Sequence, residues 1–299
     1  MTRSRILARL AGFALSMALS CAAHAQAIVV GAKEFTEQLL VAEMTTQLLQ
    51  ANGFAAHKGT GFATTGIRSL QESGIIDLYW EYTGTSLSEF NQVKEKLSPE
   101  EGFAWVKALD AKRGLVWLAP SKVNNTYALA VRRADALGKG MRSISDLATK
   151  LRAGEGMKLA STAEFLTRAD GLRPLQQAYG FEFMSGNVVA MEPGAIYGAL
   201  RRSDFDVGVV FSTDGRISAT NLFILEDDQG FFPSYLLAPV VRQPTLERYP
   251  AIKPILESLS AQLENETMAA LNAAVDLEGR KIEDVARTFL RSRRLLGQR

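Results

Sequence analysis

Aromatic and cationic side chains recur at the edges of short apolar runs that predict strands. Lys33, Tyr82 and Phe211 stand at or just after the end of such a run, while Tyr127 and Tyr235 stand at or just before the start of one. Ring faces attract cations and an ammonium group attracts anions. Ligands of open α/β sheets bind beyond the carboxyl ends of strands, so Lys33, Tyr82 and Phe211 are expected to converge at one crevice. The alternative for any single ring is simple packing against a turn.

The first 25 residues are typical of a secretory signal. Three arginines precede an apolar run from Leu10 to Ala22, and Ala23-His24-Ala25 provides small residues for cleavage after Ala25. Lipid attachment at Cys21 is the alternative, although Ala18 stands where lipoprotein signals usually carry leucine. No later stretch approaches the roughly 20 apolar residues of a membrane span. The mature protein is therefore expected to be periplasmic.

Enzymatic chemistry has few candidate residues. The 299-residue chain has two histidines and one cysteine, and cleavage after Ala25 removes His24 and Cys21. The remaining histidine, His57, lies in a run that favours a surface edge strand over a catalytic role. Glu226-Asp227-Asp228 is expected to be a solvated loop, since three consecutive acids do not converge on one cation. We expect no catalysis, no metal and no cofactor.

The charge balance argues against nucleic acid as a partner. The formal net charge of the whole chain is only +2, and three of its basic residues belong to the expected signal segment. The mature chain is therefore close to neutral and carries no electrostatic footprint for a polyanion.

Strands and helices alternate along the mature chain, which predicts an α/β fold with mainly parallel sheets. Helical spacing covers Thr36–Asn52 and Thr64–Ser73, and a capping box at Ser98–Glu101 begins another helix. The pattern restarts near Arg132 and again after Tyr235. We therefore expect a signal segment at 1–25, a first lobe at 26–131 and 236–299, and a second lobe at 132–235.

Several motifs, in order along the chain, resemble one known family. The chain is similar to the periplasmic substrate-binding component of an osmoprotectant ABC transporter, of the glycine betaine/choline/carnitine-binding family. The matching stretches are Val30–Gln38, Asp77–Thr85, Asn124–Leu129, Ser212–Ile217 and Leu225–Pro233.

The resemblance implies a two-lobed Venus-flytrap protein (type II) that holds a quaternary ammonium in an aromatic box. The implied box is Tyr82, Tyr127, Phe211 and Tyr235, and the implied carboxylate partners are Lys33, Thr85 and Arg168. Phe211 departs from the tyrosine expected there. The implied ligand is glycine betaine or a relative, and the implied partner of this monomer is the membrane permease of an ABC importer. The alternative is a protein of the same fold for a different cationic or amino-acid solute.

Overall fold

The structure is a computed structural model that describes residues 27–296. The expected signal segment, with Cys21 and the cleavage position after Ala25, lies outside the described residues. Within the described range, no helix combines the length and the apolar character needed to cross a membrane.

Strands and helices alternate throughout this range. The strands are β1 Ile28–Lys33, β2 Ala56–Phe62, β3 Leu78–Tyr82, β4 Leu115–Trp117, β5 Tyr127–Arg132, β6 Leu159–Ser161, β7 Val188–Ala190, β8 Val207–Phe211, β9 Leu222–Ile224 and β10 Leu237–Arg242. The helices of the first half are α1 Thr36–Ala51, α2 Thr64–Ser73, α3 Thr83–Thr85, α4 Pro99–Ala111, α5 Arg133–Lys139 and α6 Ile144–Arg152. Those of the second half are α7 Ala163–Thr167, α8 Leu172–Tyr179, α9 Pro193–Arg201, α10 Arg216–Ala219, α11 Gln243–Arg248, α12 Ile252–Ser260, α13 Asn265–Asp276 and α14 Ile282–Ser292.

Two five-stranded sheets form the two lobes, with strand orders β2-β1-β3-β10-β4 and β7-β6-β8-β5-β9. In the first sheet β1 is parallel to β2 and β3, whereas β10 is antiparallel to β3 and β4. In the second sheet β6 is parallel to β7 and β8, whereas β5 is antiparallel to β8 and β9. Both sheets are therefore mixed rather than mainly parallel. The antiparallel strand in each is the one by which the chain enters from the other lobe.

The first crossing between the sheets comes earlier than the sequence pattern predicts. The expected boundary leaves residues up to 131 in the first lobe, but β5 pairs with β8 and β9 in the second sheet. The apolar run of β5 suits either sheet, so composition alone did not reveal the change of lobe. The chain returns between β9 and β10, an interval that contains the expected boundary at Tyr235.

Local signals locate the longer helices well. α1 and α2 begin at the expected residues, and the Ser98 hydroxyl accepts the amide of Glu101 in the predicted capping box. The sequence reasoning missed α5, α7 and α11, which are too short to show helical periodicity. Helices α13 and α14 pack against α1, so the carboxyl-terminal part of the chain completes the first lobe.

The register of the crossing strands brings the predicted site residues to facing edges. Tyr127 at the start of β5 is opposite Phe211 at the end of β8, and Leu237 at the start of β10 is opposite Tyr82 at the end of β3. The lobes touch along these edges. The Ser88 hydroxyl, for example, donates to Asp170 at 2.7 Å.

A buried ion pair holds α2 to α4 inside the first lobe. The guanidinium of Arg68 donates two hydrogen bonds to Asp110, at 2.9 and 2.6 Å. The Asp110 carboxylate also accepts from Ser86 and from the indole of Trp117. Burial alone would raise the pKa of Asp110, but these donors hold it below its usual range.

Asp110→Asn should lower the free energy of unfolding by about 3–5 kcal/mol, because it leaves the buried Arg68 guanidinium with only the partly exposed Glu72 as counter-charge. The pKa of Asp110 is lowered on folding. Its contribution to the stability of the wild type is therefore present at any pH above the ordinary pKa of an aspartate, and it is lost as the pH falls through the pKa of the folded state. Urea denaturation at neutral pH measures the loss. Glu72→Gln is the control, because Glu72 contacts the same guanidinium from a position 38% exposed. Equal losses in the two variants would contradict this account.

Candidate functional site

The ends of β1 and β3 place Lys33 and Tyr82 side by side. The Lys33 ammonium donates to Glu81 Oε1 at 2.6 Å and lies 5.4 Å from the centroid of the Tyr82 ring. The hydroxyl of Tyr79 and the amide of Tyr82 also donate to the Glu81 carboxylate. Both charged groups are almost fully buried. Lys33 therefore belongs to a neutral pair in the arrangement seen here.

Aromatic rings form a continuous series from one lobe to the other. The Phe35 ring stacks on Tyr82 at 6.3 Å between centroids and on Phe211 at 5.7 Å. The Tyr127 ring lies 5.1 Å from Phe211 and 5.8 Å from Tyr235. The structure thus brings the four predicted box residues together, with Phe35 as a fifth ring that the sequence reasoning missed. Its position two residues after Lys33, inside a matched motif, was the available signal.

Arg168 is tied to a neighbouring carboxylate. Its Nε and Nη2 donate to the two oxygens of Asp170 at 2.6 and 2.9 Å, and Nη1 donates to Glu164 at 2.9 Å. Asp170 also accepts the hydroxyl of Tyr235. Burial alone would raise the pKa of Asp170, but the guanidinium lowers it below its usual range. The same guanidinium lies 5.2 Å from the centroid of Tyr127. Each expected carboxylate-binding cation therefore lies against a ring of the expected box.

Thr85 follows Tyr82 in the short helix α3 and is 4% exposed. Unlike Lys33 and Arg168, its hydroxyl has no hydrogen-bond partner among the described residues. The hydroxyl of Tyr127 is likewise unpaired within the described range. These two groups retain hydrogen-bonding capacity for a ligand.

A buried carboxylate that the sequence reasoning missed adjoins the rings. Glu37 lies in the first turn of α1 and is 2% exposed. It accepts from Tyr82 at 2.7 Å, Asn125 at 3.0 Å, Thr213 at 2.6 Å and Asn272 at 3.3 Å. Burial raises the pKa of Glu37, and its four donors oppose that rise. Because Thr213 belongs to the second lobe, this carboxylate connects the two lobes.

Two cavities flank the ring series. A cleft of about 1310 Å³ separates the lobes and is lined by Ser88, Tyr127 and Asp170 among others. A second cavity, of about 30 Å³, is lined by Phe35, Glu37 and Phe211 among others. The other five predicted residues line neither of these cavities. Lys33 lies against the ring of Tyr82, Arg168 and Tyr235 both bind Asp170, and Thr85 is buried. A ligand that reaches the faces of these rings must move them apart.

The structure also locates His57 and the acidic run Glu226-Asp227-Asp228, for which no catalytic or metal-binding role is expected. His57 is exposed on β2, the edge strand of the first sheet. Asp227 accepts the amides of Phe231 and Phe232, so it orders the loop that enters the cleft. Within residues 27–296, no group of three or more His, Cys, Asp and Glu side chains is arranged to hold a metal ion.

Comparison with known proteins identifies the family. The family model for the substrate-binding domain of ABC-type glycine betaine transport systems matches residues 26–292. The chain belongs to this family. Its members are substrate-binding proteins of ABC transporters, which confirms both the resemblance read from the motifs and the prediction of a receptor rather than an enzyme.

Named relatives agree with this membership. A glycine-betaine-binding protein of Pseudomonas aeruginosa is 40% identical over 94% of each chain. The glycine betaine-binding protein YehZ of Escherichia coli is 33% identical over 90% of this chain and 91% of its own. The crystal structure of a glycine betaine/carnitine/choline ABC transporter superimposes with a TM-score of 0.74, at 25% identity over 90% of this chain and 99% of its own. These matches confirm the predicted two-lobed α/β fold class.

The site depends on close packing between Gly84 and Tyr235. A Cβ atom on Gly84 would lie 2.6 Å from Cδ1 of the Tyr235 ring, so Gly84→Ala must displace that ring. We expect this substitution to destabilise the protein by about 1–3 kcal/mol. Gly66→Ala is the control: a Cβ there meets nothing within 4 Å, and alanine favours its helix, α2. Thermal denaturation compares the two. A Gly84→Ala variant as stable as Gly66→Ala would show that the ring of Tyr235 moves without cost.

Proposed function

We propose that this protein captures glycine betaine or a related betaine between its lobes and delivers it to the membrane permease of an ABC importer. The ligand's quaternary ammonium lies against the rings of Tyr82, Tyr127, Phe211 and Tyr235. Its carboxylate lies against Lys33, Thr85 and Arg168. The receptor acts as a monomer in the periplasm after cleavage following Ala25.

The observation that carries this proposal is the unbroken series of rings across the two lobes. A quaternary ammonium has no N–H group, so ordinary hydrogen bonds cannot recognise it. Ring faces attract it by ~0.5–2 kcal/mol each, with the larger values in desolvated sites. Tyr82 comes from the first sheet, whereas Tyr127 and Phe211 come from the second. A cation bound by all three therefore holds the lobes together.

The carboxylate end of the ligand meets two cations that already have partners. To reach Lys33 it must share the ammonium with Glu81, and to reach Arg168 it must share the guanidinium with Asp170. The hydroxyl of Thr85 requires no such exchange. Thr85 therefore supports the proposed orientation without disrupting a buried ion pair.

The paired cations also support a second candidate ligand. Two unpaired cations in the box would repel a ligand that is only positive, such as choline. Because Glu81 and Asp170 neutralise them, a cation without a carboxylate meets no net repulsion from these pairs. The alternative function is therefore a receptor of the same fold for a different cationic solute. Calorimetric titrations of glycine betaine and choline separate the two, and failure of both ligands to bind would overturn the proposal.

Removal of a single ring should weaken binding. Tyr82→Ala and Tyr127→Ala should each raise the dissociation constant for glycine betaine by about tenfold or more, since each loses ~1–2 kcal/mol of ring–cation attraction. Isothermal titration calorimetry measures the change. The control is Trp105→Ala, which removes a ring that is 41% exposed on α4. If both tyrosine variants bind like the wild type, the box is wrongly assigned.

Ligand binding should also favour the closed arrangement of the lobes. A ligand that touches Tyr82 in one lobe and Phe211 in the other binds the closed form better than the open form. Small-angle scattering should then give a smaller radius of gyration with glycine betaine than without it. An unchanged radius at saturating ligand would contradict a contribution from both lobes.

A further inference from the structure

The carboxylate of Glu37 lies behind the ring series and is not explained by the proposed ligand contacts. It is buried at the point where the first lobe, the second lobe and helix α13 meet. The geometry points to Glu37 as the residue that makes this site selective for positively charged ligands, a role that rests on the proposed function. It acts as the counter-charge of the ligand's ammonium group without touching it.

The hydrogen-bond pattern fits an ionised carboxylate. The side-chain amides of Asn125 and Asn272 present their N–H groups to Glu37, and these groups can only donate. The hydroxyls of Tyr82 and Thr213 complete four contacts at two oxygens. A position in the first turn of α1 adds a favourable helix dipole. All four partners are neutral, so the negative charge is hydrogen-bonded but not cancelled.

The other buried charges around the rings cancel in pairs. Lys33 is neutralised by Glu81 at 2.6 Å, and Arg168 by Asp170 at 2.6 Å. Glu37 forms no ion pair with any residue in the described part of the chain. Glu164, the second acid on Arg168, is 44% exposed, so water screens its charge. Glu37 is therefore a buried charge in direct contact with the ring series that no counter-ion compensates.

The small cavity adjoins both this carboxylate and the aromatic residues. Glu37 lines it together with Phe35 and Phe211. Asn125 and Asn272 also line it, and the side-chain oxygen of each is buried without a hydrogen-bond partner. Asp214 and Asp276 contribute two further carboxylates against the single guanidinium of Arg216, to which both are paired. The potential behind the rings is negative.

Tyr82 transmits the effect to the ligand. Its hydroxyl donates to Glu37 at 2.7 Å, and a phenol that donates to a carboxylate gains electron density in its ring. The face of that ring then attracts a cation more strongly. The charge of Glu37 also acts directly on the ligand's cation, across the side chain of Tyr82. At the effective dielectric constant of about 20 that describes protein sites, this attraction changes the affinity by about tenfold.

Matched ligands separate charge recognition from shape. Choline and 3,3-dimethylbutanol share one shape, but the alcohol has carbon in place of the charged nitrogen. Glycine betaine and 3,3-dimethylbutanoate form a second such pair. Calorimetry or competition gives the ratio of affinities within each pair. Glu37→Gln should weaken the binding of choline by about tenfold and the binding of the alcohol by less than about twofold. The ratio of choline affinity to alcohol affinity therefore falls.

Two further variants control the test. Glu37→Asp keeps the charge in altered geometry and should preserve the ratio even where both affinities fall. Glu43→Gln removes a carboxylate from the same helix, where it pairs with Lys58 at 2.7 Å, and should leave both affinities unchanged. If the alcohol binds too weakly to measure, choline affinity lost in Glu37→Gln but kept within about threefold in Glu37→Asp supports the role.

Equal weakening of both members of a pair by Glu37→Gln would overturn the inference, since a residue that only supports Tyr82 affects both alike. A fall of this affinity ratio in Glu37→Asp would also overturn the inference. The aspartate variant still provides a test if the glutamine variant does not fold. Failure of the wild type to bind either quaternary ammonium compound would instead refute the proposed function.

Discussion

Buried charge at the facing edges of two sheets is the constraint on which the rest of this structure depends. A charge removed from water costs several kcal/mol unless a partner or several hydrogen bonds compensate it. Here Lys33 has Glu81, Arg168 has Asp170, and Glu37 has four neutral donors. Each of these charged groups also contacts an aromatic ring. Lys33 lies over Tyr82 and Arg168 lies over Tyr127. Glu37 accepts a hydrogen bond from the hydroxyl of Tyr82. The positions of the rings therefore follow from the way each buried charge is paired or hydrogen-bonded.

The same constraint adds polar contacts to the aromatic ones at the lobe interface. Thr213 of the second lobe donates to Glu37 of the first, and Ser88 of the first donates to Asp170 of the second. Each hydrogen bond of this kind contributes only about 1.5–3 kcal/mol, because water replaces the partner when the lobes separate. Lobes joined in this way can separate without a large penalty, as a receptor that must admit and release its ligand requires. A wholly apolar interface of the same extent would resist opening.

The sequence predicted most of the elements and the strand ends that carry the proposed site residues, but not the pairing of their charges. Apolar runs ending at Tyr82 and Phe211, with their flanking turns, are local signals, and they identified strand ends correctly. The partners of Glu37 come from four separate elements and loops, so no spacing rule connects them. Arg168 and Asp170 are only two residues apart, yet their burial depends on Ser88 and Tyr235 from distant parts of the chain. The first lobe boundary was predicted after β5 rather than before it for a related reason. The apolar sequence of β5 suits either sheet, so it does not indicate which one the strand joins.

The return of β10 to the first sheet has a consequence for how the chain folds. The second lobe draws all its strands from one continuous segment, β5 to β9, whereas the first sheet needs β10 between β3 and β4. Beside that strand pairing, the hydroxyl of Thr83 donates a hydrogen bond to the carbonyl oxygen of Ser234, which is 151 positions away in the sequence. Pairings of such high contact order form slowly, because a long loop must close before they stabilise anything. A chain emerging amino terminus first therefore completes its second lobe before its first.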